Sequence, residues 1–103
     1  MDLPIVCTLT QEELQVRRSK ILATIRHRAT GIDRLPDGYT YRFKADSETL
    51  GGLAELVDLE RQCCQFLTFK IIVEPQRELR LEITGPRDAP PVIADYFGAE
   101  ISN

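Results

Sequence analysis

Three cysteines and one glutamate are the residues in this chain whose types and spacing could do chemistry. Cys63 and Cys64 are adjacent, Glu60 precedes Cys64 by one helical turn, and Cys7 stands alone near the start. Thiolates are soft ligands and nucleophiles, and a carboxylate beside them can ligate with them or exchange protons with them. A disulfide between neighbouring cysteines closes a strained ring and staples little. The sequence has no C-x-x-C, so a thioredoxin-type exchange site is not supported. Zinc prefers four Cys or His ligands in spaced pairs, and three Cys with a remote His27 and Glu60 match that poorly. Three convergent thiols suit a soft metal or metalloid ion of the Hg or As type better. A single reactive thiol would instead serve a thiol-redox or nucleophilic-cysteine enzyme. The third reading is a structural or protein-interaction module whose cysteines pack as small, inert hydrophobes.

The elements that position these residues follow from period and punctuation. Thr10 and Glu13 form a capping box for a first helix. That helix carries Leu14, Ile21, Leu22 and Ile25 on one face and fades near Ala29-Thr30-Gly31. Leu35-Pro36-Asp37-Gly38 has turn chemistry, and Tyr39, Tyr41 and Phe43 then alternate with Thr40, Arg42 and Lys44 as a strand. Asp46-Ser47 offers an N-cap for a second helix, with Leu50, Leu53, Leu56, Val57 and Cys64 on its buried side. Gly51-Gly52 weakens its first turn, so its start could slip. Residues 67–74 and 79–84 alternate again and read as an antiparallel hairpin. Pro90-Pro91 opens a last short helix with Val92, Ile93, Tyr96 and Phe97 inward and Gly98 as its stop.

The expected order is therefore (β)αβαββα. It predicts an α+β two-layer sandwich, an antiparallel three- or four-stranded sheet with helices on one face. Pro4-Ile5-Val6-Cys7 reads equally as a fourth strand or as a tucked-in arm.

Helical phase makes two charges conspicuous. On the second helix Glu60 falls in the middle of the apolar stripe, and on the first Arg18 falls among Leu14, Ile21, Leu22 and Ile25. Either the two pair across the helix interface or snorkel out at its edge, or Glu60 serves the adjacent thiols. Residues 14–32 carry five basic and no acidic side chains, and 46–60 carry five acidic and no basic ones, which is expected of neighbouring helices. At the C-terminal end of its helix the macrodipole disfavours a Cys63 or Cys64 thiolate. Cys7, three residues before the Thr10 cap, is placed to gain from the opposite pole. In the three-thiol reading Cys7 closes on Cys63 and Cys64 while Glu60 or Arg18 tunes the charge.

The run Glu60-x-x-Cys63-Cys64-x-Phe66-x-x-Phe69, with Cys7-Thr8-Leu9-Thr10 before it and Leu81-Glu82-Ile83-Thr84-Gly85-Pro86 after it, resembles a family of small bacterial cysteine-containing proteins. It is also similar to the C-terminal segment of some heavy-metal-responsive regulators of the MerR type. The resemblance extends from about Cys7 to Phe97 and implies a metal-sensing role for Cys7, Cys63 and Cys64. The sequence shows neither the helix-turn-helix nor the dimerising coiled coil of those regulators.

Composition sets the frame. The 103 residues fit one domain, and thirty of them are Leu, Ile, Val or Phe, well above the roughly 20% below which chains tend to stay disordered. Thirteen basic against sixteen acidic residues, a net charge of −3, argue against a nucleic-acid partner. No apolar run approaches a membrane span and Met1-Asp2-Leu3 does not open a signal peptide, so the expectation is a cytoplasmic protein. A heavy-metal ion is the expected partner, with room for a homodimer or another protein.

Overall fold

The computed structural model describes residues 12–75 and 78–99, apart from the side chains of Glu13, Leu14 and Cys63. The elements run α1 (Glu12–Arg28), β1 (Ala29–Leu35), β2 (Gly38–Lys44), α2 (Ser47–Cys63), β3 (Thr68–Val73), β4 (Glu78–Thr84) and α3 (Ala89–Phe97). The four strands form one antiparallel sheet in the order β1-β2-β4-β3. This is the expected α+β sandwich. Its fourth strand is Ala29–Leu35, a segment to which periodicity assigned no strand, while Pro4–Cys7 and the Thr10–Glu13 capping box lie outside the described residues and side chains.

Beta1 escaped the sequence pattern because its own side chains do little to specify a strand. It contains a glycine and two charged residues, and its register slips between Ala29 and Gly31. Pairing to β2 holds it extended, an instance of tertiary context overriding propensity. The link between them is the two-residue turn Pro36-Asp37. A side chain on Gly38 would run into the carbonyl oxygen of Ile83 on β4, so the close approach of those strands requires glycine there.

The core lies between the sheet and the helices. Tyr41 and Phe43 of β2 and Leu79, Leu81 and Ile83 of β4 meet Leu22 and Ile25 of α1, Leu53 and Leu56 of α2, and Ile93 and Phe97 of α3. Alternation along β4 is strict, each buried residue flanked by half-buried polar ones. Two expected core residues are not inside. Leu50 stands in the first turn of α2 and Val92 on the outer side of α3, and both are exposed. The α2 helix starts where its cap chemistry predicts: Asp46 Oδ1 accepts from the Thr49 N–H at 2.7 Å, and the glycine pair does not delay it.

The opposite sheet face carries Thr40, Arg42, Arg80 and Glu82. Thr40 is buried there, and its hydroxyl has no hydrogen-bond partner among the described residues. An unsatisfied buried hydroxyl is a standing penalty. Thr40→Val is therefore expected to raise stability by about 1 kcal/mol in urea melts. A loss of stability would mean that the hydroxyl is satisfied after all.

Candidate functional site

Helices α1 and α2 pack antiparallel and their charges interlock. Arg28, at the end of α1, donates to Glu48 and to Thr49 Oγ1 at the start of α2, both at 2.9 Å. Arg17 meets Glu55 further along, an exposed pair of small energetic weight. At the far end of the interface Arg18 reaches Glu60. The segregated basic and acidic stretches of the sequence are thus the two sides of one helix pair.

The Arg18–Glu60 contact differs from the others because it is internal. Glu60 is completely buried and Arg18 is 8% exposed. The guanidinium grips the carboxylate with two bonds, Nε to Oε2 at 2.5 Å and Nη2 to Oε1 at 2.8 Å. Such a fork is the strong, directional form of a charge-assisted bond. Tyr96 of α3 completes the arrangement. Its hydroxyl donates to Glu60 Oε2 at 3.2 Å, and its ring lies under the guanidinium, 4.7 Å from Arg18 Cζ to the ring centroid. Phe97 stacks edge-on against that ring at 4.7 Å.

Cys64 sits at the rim of this cluster. It is the first residue beyond α2, and its N–H closes the last turn onto the carbonyl of Glu60. Its half-buried Sγ lies 3.9 Å from Arg18 Nη2 and 3.9 Å from Glu60 Oε1. Burial and the adjacent Glu60 carboxylate push the thiol above its ordinary pKa, and Arg18 opposes them only in part. Burial likewise raises the Tyr96 phenol, with Glu60 adding to the effect. The Arg18 guanidinium is held more firmly protonated by its bond to Glu60.

Of the expected site residues, Arg18, Glu60 and Cys64 come together. The side chain of Cys63, the last residue of α2, and the whole of Cys7 lie outside the described part of the structure. Glu60 does not stand as a free ligand, because Arg18 engages both of its oxygens and Tyr96 shares one. Among the described residues no group of three or more His, Cys, Asp or Glu is placed to hold a metal ion. His27, remote from the cysteines in sequence, is exposed at the end of α1.

Tyr96 is the member that sequence reasoning missed. It was legible only as an inward residue of the last helix, although a tyrosine turned inward needs a partner for its hydroxyl and so pointed to a buried acceptor. Nothing in the sequence singles out Glu60 as that acceptor.

Two phenols, one buried and one half-buried, also set an alkaline limit. Tyr41 is raised by burial, and its hydroxyl donates to the carbonyl of Gly98 at 2.7 Å. Both Tyr41 and Tyr96 favour the neutral form more strongly when folded than when unfolded. Their contribution is complete below the unfolded phenol value of about 10 and is lost as pH rises above it. Melting temperature should therefore fall steeply above about pH 10, and less steeply in Tyr41→Phe. Equal slopes would show that Tyr41 has no part in the alkaline transition.

No family model, curated protein or solved structure matches the chain. Among the described residues no helix is long and apolar enough to cross a membrane.

Proposed function

We propose that the chain captures or senses a soft metal or metalloid ion, with Cys64 as the anchoring ligand, Cys63 as the second and Cys7 as the third. The observation that carries this reading is the position of the Cys64 sulfur beside an internal Arg18–Glu60 pair. Ion binding displaces the thiol proton and leaves a thiolate, and Arg18 Nη2 is already placed to face that new negative charge. Glu60 holds Arg18 in place and does not itself ligate. In the ion-free protein the raised pKa keeps Cys64 as a thiol. A soft ion overcomes that because its bond to sulfur is strong enough to expel the proton, which goes to solvent as H⁺ when Hg(II) binds and leaves as water with an arsenic-bound hydroxide when As(III) binds.

The same raised pKa makes Cys64 a poor nucleophile, since the reactive form of cysteine is the thiolate. The rival thiol-redox or nucleophilic enzyme would work through Cys7, which lies outside the described residues. A cytoplasmic setting belongs to this proposal, because a reducing compartment keeps adjacent thiols free. The test is native mass spectrometry of the reduced full chain titrated with Hg(II), As(III) and Zn(II) against excess glutathione. One Hg(II) or As(III) per chain is expected, with a mass deficit of one proton per sulfur engaged. Cys63→Ser should lose one of those protons and most of the occupancy. Unchanged occupancy in that variant would overturn the adjacent-thiol site.

A further inference from the structure

The sheet has two edges, and they are built differently. Beta1 is protected by the devices that usually discourage strand addition: an irregular register at Ala29–Gly31, a glycine, and the charged Asp33 and Arg34. The other edge, β3, reads Thr-Phe-Lys-Ile-Ile-Val, with no glycine, no proline and one charge. Its pairing to β4 runs unbroken from Thr68 to Val73. Along its outer side no strand is paired to it among the described residues. Val73 is 60% exposed, and Phe69, Ile71 and Ile72 are only half-buried. A regular, apolar, uncovered edge strand is a template for further strand pairing and an aggregation hazard if left open.

The charges at this edge favour one particular occupant. Lys70, Ile72 and Glu74 lie on the open face of the sheet, since the alternate residues Phe69 and Ile71 pack on the core. Glu74 is anchored there by Arg80, whose Nε donates to Oε1 at 2.6 Å. Two copies of β3 laid antiparallel about a two-fold axis at Ile72 place Ile72 against the partner's Ile72, Ile71 against the partner's Val73, and Lys70 against the partner's Glu74. Each opposed pair between Lys70 and Glu74 is then apolar or oppositely charged, and the Lys–Glu pair occurs twice. Moving the axis to Lys70 would oppose two ammonium groups, which is destabilising across a ladder. We infer that β3 is the interface of a two-fold homodimer in which the sheets of two copies join into one of eight strands. Such an interface is isologous and closes on itself, so it consumes the hazardous edge without propagating a fibre. An edge ladder alone buries less than the ~1,000 Å² of a tight complex, so the dimer should be weak and concentration-dependent.

Sedimentation of the full chain from micromolar to millimolar concentration tests this, with circular dichroism to confirm folding. Wild type should double in mass as concentration rises. Lys70→Glu opposes two acids at each end of the ladder, and Glu74→Lys opposes two lysines, so each variant alone should remain monomeric over that range. Mixed in equal amounts they should recover the doubled mass, because each strand then supplies the charge that the other lacks. A wild type that stays monomeric throughout overturns the inference. So do single variants that dimerise as well as wild type, or a mixture that fails to recover. Strong amide protection of β3 in a monomer would assign the edge to another segment of this same chain and would equally overturn it.

Discussion

Replacing Glu60 by Ala is expected to destabilise the fold by about 3–5 kcal/mol, because it removes the carboxylate that forks the buried Arg18 guanidinium. The two bonds of the fork and the acceptor of the Tyr96 hydroxyl are all lost together. A domain of this size has only about 5–15 kcal/mol in total, so the loss should be visible as a fall in melting temperature of more than about 12 °C. The converse experiment separates the pair from its context. Arg18→Met with Glu60→Leu and Tyr96→Phe removes the guanidinium, the carboxylate and the phenol at once and should be neutral or even stabilising, since an apolar replacement escapes the desolvation cost of two ions. A Glu60→Ala protein that melts within about 4 °C of wild type, equivalent to less than about 1 kcal/mol, would show that Arg18 escapes to solvent. The triple variant gives a folded protein in which Cys64 keeps its place but loses Arg18 and Glu60. Ion capture that persists undiminished there would assign the chemistry to the thiols alone.

Cys64→Ser should carry the largest functional effect. Loss of groups that merely orient a ligand costs roughly 10–100-fold in metal affinity, and loss of the anchoring thiol should exceed about 100-fold for Hg(II) or As(III). The pH dependence has a definite sign. Burial and Glu60 raise the Cys64 thiol, so its proton must be displaced throughout the neutral range and Hg(II) affinity should climb with pH until that raised value is passed, whereas As(III), which carries the proton off as water, should show no such climb. Cys64→Ser should flatten the climb by about one proton's worth, close to tenfold per pH unit. Competition titrations at a series of pH values measure both quantities. A pH profile unchanged by Cys64→Ser would remove this sulfur from the site.

Much of this was legible from spacing. The helical phase put Arg18 and Glu60 at core-facing positions, and the segregation of basic and acidic residues placed their helices side by side. The Asp46 cap fixed the start of α2, and alternation along residues 79–84 fixed β4. Each of these signals is local, a matter of which residues recur every second or every third to fourth position, and local order survives in the bare chain. Beta1 was not legible for the same reason: Ala-Thr-Gly-Ile-Asp-Arg-Leu has no useful period, and only its pairing to β2 makes it a strand. Leu50 and Val92 fit their helical patterns yet lie where no other element covers them.

The division is clearest at Glu60. Its type, its place one turn before Cys64 and its presence among leucines are properties of the chain. That its carboxylate is wholly buried, forked by Arg18 from forty-two positions away and shared with Tyr96 from thirty-six away, belongs to the packing of three helices on one sheet. A charge on an apolar stripe must be neutralised somehow, and pairing, snorkelling and ligation are all open to an isolated helix. Only the desolvated space between α1, α2 and α3 selects among them. Glu60 is shut off from solvent there, and among the described residues one guanidinium and one phenol reach its carboxylate. The cysteines named a class of chemistry from the start; the tertiary structure puts the one cysteine sulfur among the described side chains, that of Cys64, beside a buried guanidinium and carboxylate.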